Sequence, residues 1–314
     1  MRKILIITWI IISLQVVDAV GQDLDLPDLT NYQHNWMVYN PAFTGSREVA
    51  STSVFYRQVD FTLPAPVYGQ VSWHSPMKNN KVALGISYFN ESNPGNLFNT
   101  ISVSSRQVKD NLYLNYAFRI QAGGGRIAFG ISAGATMYTS ILNPNVLHQG
   151  DNYLLREGME IIPNAGAGIL YYNKDYFFGI SVPKFLSRGE HLQEITHDFR
   201  SYTGVFTAGY EFNISENFTV SPTAMLLYKL NQPVNVQGGL NFGFFNEKVW
   251  FGGVYKRPDF VAALFNIELT PQIMLGYAFS YSLNPTVSYY TKTHEIVLRH
   301  ELRKIVPSKI PFYY

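Results

Sequence analysis

The chain of 314 residues contains no cysteine. Disulfide stapling and thiolate chemistry, catalytic or metal-binding, are therefore excluded from whatever it does. Charge is scarce too: Asp, Glu, Lys and Arg make up 15%, against about 25% in soluble domains. A formal net charge of +2 and the lack of any Lys/Arg cluster leave no footprint for nucleic acid. Beyond the amino-terminal stretch, no apolar run approaches the roughly 20 residues that a membrane-spanning helix needs.

What the chain has instead is aromatic rings, with 22 Tyr and 22 Phe. Low charge, many rings and no apolar helix together point to a membrane β-barrel. There only every second residue meets lipid, so the mean hydropathy stays near neutral. The start is different. Met1-Arg2-Lys3 is positive, Ile4 to Val17 is apolar, and Asp18-Ala19-Val20-Gly21-Gln22 offers small residues for cleavage. This pattern predicts a secretory signal peptide over residues 1–21, cut after Gly21.

Alternation runs through the remainder. Val82, Leu84, Ile86 and Tyr88 alternate with Ala83, Gly85 and Ser87; Leu112, Leu114, Tyr116 and Phe118 with Asn111, Tyr113, Asn115 and Arg119. Tyr176, Phe178 and Ile180 alternate with Phe177, Gly179 and Ser181, and Ile296 and Leu298 with Glu295, Val297 and Arg299. A soluble sandwich would carry Lys, Glu and Thr on its second face. Here that face is mostly Gly, Ala, Ser and Asn, which suits a narrow, partly filled lumen. Tyr88, Tyr138, Tyr172, Tyr228, Tyr255 and Tyr281 are expected to form interfacial girdles.

Turn signals divide the pattern into about fourteen strands, starting near residues 47, 66, 81, 108, 126, 163, 176, 202, 217, 233, 248, 259, 272 and 293. Tight turns such as Gly123-Gly124-Gly125 and Asn173-Lys174-Asp175 alternate with longer loops such as Leu142–Ile162 and Lys184–Arg200. That is the asymmetry of an outer-membrane barrel. The predicted fold is all-β: a transmembrane antiparallel β-barrel of about 14 strands, with a short amino-terminal segment plugging the lumen. The division reads 1–21 signal peptide, 22–46 plug or gate segment, 47–303 barrel, and 304–314 a tail of unassigned role.

The gate is read from "NWMVYNPAFTGSRE", Asn35 to Glu48. Pro41 fixes its own φ and biases Asn40 toward extended geometry. Gly45 is free to take positive φ. Tyr32, Asn35, Trp36 and Tyr39 recur at spacings of three and four, which a short helix places on one side. The segment is expected to fold into the barrel mouth, its aromatics packing the lumen and the Asn-Pro corner turning it toward the wall.

The run Tyr32-x-x-Asn35-x-x-x-x-Asn40-Pro41-Ala42-Phe43-Thr44-Gly45-Ser46 resembles the opening signature of the PorP/SprF family of type IX secretion system outer-membrane proteins. Ser75-Pro76-Met77-Lys78-Asn79-Asn80-Lys81-Val82-Ala83-Leu84-Gly85 is similar to the family's first hairpin turn. Pro163-Asn164-Ala165-Gly166-Ala167-Gly168, Gly179-Ile180-Ser181-Val182-Pro183 and Gly276-Tyr277-Ala278-Phe279 are similar to later blocks, and Thr293-His294-Glu295-Ile296-Val297-Leu298 to the closing strand. Thr44, Ser280 and Thr293 depart from the pattern, where a small residue such as Ala, an acid and a Ser are expected, and so does the longer tail. These departures bear on the sub-branch rather than the fold. The resemblance implies an outer-membrane barrel of Gram-negative, Bacteroidota-like bacteria. It would work with the type IX translocon and periplasmic subunits in the secretion or surface attachment of a large C-terminal-domain cargo protein of the gliding-adhesin kind. The lipid bilayer is its other partner.

Two alternatives have separate signatures. The fatty-acid transporter family also combines about fourteen strands with an amino-terminal plug and an Asn-Pro-Ala corner like Asn40-Pro41-Ala42. An outer-membrane hydrolase would need a nucleophile, a His base and an orienting group brought together. His294 and His300 share a strand face but lie about 20 Å apart at 3.3 Å per residue. His191-x-x-Glu194-x-x-His197 lacks the i, i+4 histidine spacing of helical zinc sites. No catalytic residue, cofactor or metal ligand is expected. The site residues are those of the gate: Tyr32, Asn35, Trp36, Tyr39, Asn40, Pro41 and Gly45.

Overall fold

A computed structural model describes residues 26–59, 65–77, 80–93, 105–142, 158–188, 195–196, 202–230, 232–257, 260–283 and 291–302. The expected signal peptide, the tail after residue 303 and His191, Glu194 and His197 lie outside the described residues. Fourteen strands form the wall. They are β1 (Ala50–Val59), β2 (Val67–Met77), β3 (Val82–Asn93), β4 (Ser105–Ala122), β5 (Gly125–Leu142), β6 (Gly158–Tyr172) and β7 (Tyr176–Val182). There follow β8 (Thr203–Tyr210, continued by Phe212–Ser215), β9 (Phe218–Lys229), β10 (Asn235–Phe244), β11 (Val249–Lys256), β12 (Phe260–Thr270), β13 (Ile273–Ser282) and β14 (Lys292–Leu302). A two-residue pair, Ser187–Arg188 with Ile195–Thr196, stands apart from the wall.

Each wall strand pairs antiparallel with its sequence neighbours, and β1 pairs with β14 from Ala50↔Leu302 to Val59↔Thr293. The sheet is therefore closed. Closure leaves no edge, which satisfies the condition for a β structure to cross lipid. The sixth strand begins at Gly158 rather than near 163, because β5 and β6 pair well beyond the core register, from Arg126↔Tyr172 to Ser140↔Gly158.

The pleat sorts the side chains as the alternation requires. Leu112, Leu114, Ile131, Ile169, Phe178, Phe251 and Ile296 point outward and are exposed. In water so continuous an apolar belt would far exceed the few hundred Å² that soluble monomers show; in lipid it is the solvent-facing surface. Tyr171, Tyr176, Tyr210 and Phe212 form an outward aromatic chain near one rim, with ring centroids 5.8, 6.2 and 4.3 Å apart in succession. Tyr56, Tyr88, Tyr228, Tyr255 and Tyr281 are exposed near the other rim. Tyr172 is buried, and Tyr138 shares the inward register of Ser132 and Thr136. Both therefore leave the expected girdles, because one residue of register sends a side chain to the opposite face.

The two rims differ. One carries connections of two to four residues, as between Ala122 and Gly125 or Tyr172 and Tyr176; the other carries connections of three to twenty, the longest between Val182 and Thr203. Ahead of β1, residues 26–49 run inside the wall. Leu29, Tyr32, Trp36, Tyr39, Ala42 and Phe43 are buried and form one apolar cluster with the inward-facing Phe55, Tyr68, Phe89, Tyr113 and Phe177.

Candidate functional site: the amino-terminal segment within the wall

The segment consists of two 3₁₀ turns, Tyr32–Val38 and Pro41–Phe43. The first is kinked at Asn35, whose φ of −150° and ψ of 55° are not helical. The side-by-side spacing of Tyr32 and Trp36 survives the kink, their rings meeting edge to face at 4.9 Å. Trp36 stacks on Phe43 at 5.5 Å, and both meet Phe177 of β7 edge to face, at 5.3 and 5.4 Å. Each such ring, fully removed from water, contributes about 1.5–3 kcal/mol.

The corner follows from local chemistry. Asn40 precedes a proline and is extended (φ −146°, ψ 111°), and Pro41 occupies the first position of the second turn. The Asn40 Oδ1 accepts from Ala42 N at 2.9 Å, capping that turn. Its Nδ2 donates to the Ile169 carbonyl at 3.1 Å, with the paired Ile180 carbonyl at 3.5 Å. One carboxamide thus starts a turn and bridges β6 to β7. Glycines make room for it. A Cβ on Gly168 would stand 2.1 Å from Asn40 Oδ1, and one on Gly130 would stand 2.1 Å from Ala42 N. The Ser181 hydroxyl donates to the Tyr39 carbonyl at 2.7 Å. Blocks 163–168 and 179–183, distant in sequence from Asn40-Pro41-Ala42, are brought together around it.

Toward the short-turn rim the holding groups are ionic. Gly45 has φ 65° and its N–H donates to His74 Nδ1 at 3.1 Å. Arg119 of β4 donates to the Thr44 carbonyl, and Arg47 pairs with Glu301 of β14; all three charged side chains are buried. Arg299 Nε lies 3.2 Å from the same Glu301 carboxylate, and its Nη1 lies 3.2 Å from His34 Nδ1. A guanidinium only donates, so Nδ1 accepts and the His34 proton sits on Nε2, which donates to Asn266 Oδ1 at 3.1 Å. With Nδ1 accepting and Nε2 donating, the His34 ring is neutral. Glu48 pairs with Arg126 at 2.5 Å.

Toward the long-loop rim the segment is held at Thr30 and Asn31, whose N–H groups donate to the two oxygens of Glu295 at 2.9 and 2.7 Å. The Asp28 carboxylate reaches both Lys256 and Arg57, the latter at 3.3 Å. Residues 28 to 48 therefore pass from one rim to the other. A second inward element, absent from the sequence reading, is the start of the β7–β8 connection. Pro183 is buried, Asn164 Oδ1 accepts from Phe185 N and Leu186 N at 3.0 Å each, and its Nδ2 donates to Leu186 O at 2.6 Å. Lys184 donates to Asn111 Oδ1 at 3.2 Å and lies 5.5 Å over Phe89.

All seven gate residues named from the sequence lie in this segment: Tyr32, Asn35, Trp36, Tyr39, Asn40 and Pro41 are buried, and Gly45 takes the positive φ. The inner charges Arg119, Glu295 and Arg299 were missed as partners, although the alternation already set them on the inward face. Among the described residues, no group of three or more His, Asp or Glu side chains is placed to hold a metal ion.

A closed, lipid-faced antiparallel wall of this kind defines an outer-membrane β-barrel. The CymD monoaromatic hydrocarbon channel superposes with a TM-score of 0.57 at 13% identity, covering 86% of this chain and 93% of that one. The Ralstonia pickettii toluene transporter TbuX gives 0.53 at 13% identity, covering 85% and 93%, and the P. putida toluene transporter TodX gives 0.53 at 11%, covering 86% and 94%. At such identity these likenesses speak for the fold alone. No curated protein sequence matches the chain. The profile of the type IX secretion system membrane protein PorP/SprF matches residues 21–300. The chain belongs to the PorP/SprF family.

Proposed function

We propose that this barrel supports the secretion or surface attachment of one large exported protein of the gliding-adhesin kind. It does so beside the type IX translocon and periplasmic subunits, in the outer membrane of a Bacteroidota-like cell. The family match over residues 21–300 carries the reading. The amino-terminal segment is its plug. Trp36, Tyr32 and Tyr39 fill the middle of the lumen and the Asn40-Pro41 corner fixes them to the wall, so the barrel serves as a sealed platform rather than an open pore.

A channel for apolar compounds, the activity named for the hydrocarbon channel and the toluene transporters, is the competing reading. Deleting the gene separates the two. The proposal predicts a specific large surface protein retained inside the cell, with uptake of toluene or another apolar compound unchanged. Normal surface display with defective uptake would overturn it in favour of the channel.

A further inference from the structure

Residues 27–31, Pro-Asp-Leu-Thr-Asn, are held at the long-loop rim as a bound peptide would be. The Asp28 carboxylate lies between Arg57 of β1 and Lys256 of β11, whose side chains are only 18% and 14% exposed, while Asp28 itself is 48% exposed. Leu29 is fully buried. The backbone is read group by group. The Tyr39 hydroxyl donates to Pro27 O at 2.6 Å, and its oxygen lies 3.3 Å from Leu29 N. Both oxygens of the buried Glu295 take the next two N–H groups. The Thr30 and Ser280 hydroxyls are paired at 2.9 Å. A narrow crevice with about 10 Å³ of free volume, bordered by Asp28, Arg57, Lys256, Phe260, Ser280 and Thr293, adjoins these contacts.

The wall thus supplies two cations for one side-chain carboxylate, one carboxylate for two backbone N–H groups, and cover for one aliphatic side chain. That set recognises a short non-helical peptide bearing an acidic residue followed by an aliphatic one. Its present occupant meets the two cations through a half-exposed carboxylate, a weak kind of tie, while its backbone rests on the buried Glu295. We propose that this rim is a recognition site for an acidic peptide segment of another protein, and that residues 27–31 are its resident, exchangeable occupant. On the export reading above, the peptide belongs to the exported protein; the binding itself does not depend on that reading.

The test uses the full-length barrel purified in detergent and a labelled, end-capped Leu-Pro-Asp-Leu-Thr-Asn peptide. Weakening the resident by Asp28→Asn should tighten peptide binding about fivefold over the natural chain, the equivalent of about 1 kcal/mol. Replacing the peptide's Asp by Asn, or adding Lys256→Gln to the barrel, should abolish that gain. In the natural chain, excess peptide should speed hydrogen exchange at the Leu29, Thr30 and Asn31 amides. Equal binding of the Asp and Asn peptides, or no binding to the Asp28→Asn barrel, would overturn the proposal. So would peptide binding with no change in exchange. Failure here with export still lost on gene deletion removes this site and leaves the export reading; peptide binding with normal export in the deletion strain does the reverse.

Discussion

The two ends of the amino-terminal segment are held by different physics. At the short-turn end the contacts are buried and shape-dependent: glycines admit the Asn40-Pro41-Ala42 backbone against β5 to β7, and Arg47 meets Glu301 out of water. At the long-loop end Asp28 is half exposed and held by ion pairs. Buried pairs are costly to break because one partner is left charged in a poor solvent, whereas surface pairs are screened and individually weak. The short-turn end is thus held by buried groups alone, whereas the long-loop end adds a half-exposed carboxylate to its buried Glu295 anchor. Its aromatic middle, with Trp36 between Tyr32, Phe43 and Phe177, belongs energetically to the fixed part.

Substitutions at the fixed end should break this contrast most strongly. Trp36→Ala removes the largest buried ring and should lower stability by about 3–5 kcal/mol, seen as a lower temperature for loss of the compact form on detergent gels. Glu301→Gln removes the buried carboxylate that Arg47 and Arg299 share and should cost about 3–5 kcal/mol, measured the same way. It should also open the Arg47 peptide bond to trypsin. Gly168→Val places carbon where Asn40 Oδ1 now sits, and overpacking of this kind costs about 1–3 kcal/mol. Its sharper readout is faster hydrogen exchange at Ala42 N, once the Asn40 cap is pushed away. Asp28→Asn should be the mildest, about 0–1 kcal/mol in overall stability, with faster exchange confined to residues 29–31. If Asp28→Asn lowered stability as much as Glu301→Gln, the two ends would not differ and the contrast would be lost.

Much of the wall was legible because period-2 alternation is a local signal. Leu112, Leu114, Tyr116 and Phe118 could be set on one face from spacing alone, and the strand starts follow from the turn residues. The register of Tyr138 and Tyr172 was not legible from their nearness to strand ends. It needed the parity of each to be counted from Ser132 and Leu170. That the amino-terminal segment turns at Asn40-Pro41 and Gly45 and groups its rings on one side was legible from Pro41, Gly45 and the ring spacing, which are also local. Their partners did not, since Asn40 meets Ile169, Gly168 and Gly130 only after β5, β6 and β7 have closed around it. The pairs Arg47–Glu301 and Thr30–Glu295 join residues more than 250 positions apart, and no periodicity relates them. The inward turn at Pro183–Leu186 was hidden for a similar reason: Asn164, which holds it, reads as just another small polar residue on an alternating strand.

A segment that runs inside the wall to the long-loop rim sets Thr30 against Ser280. Thr30 Oγ1 and Ser280 Oγ lie 2.9 Å apart, and the chain has no cysteine of its own, so the double variant Thr30→Cys, Ser280→Cys gives a clean measurement. Mild oxidation of outer membranes, followed by mass spectrometry, should find the two positions joined by a disulfide in nearly all of the folded barrel. Recovery of both thiols separately alkylated, in a barrel that still resists heating as a compact form, would contradict the account.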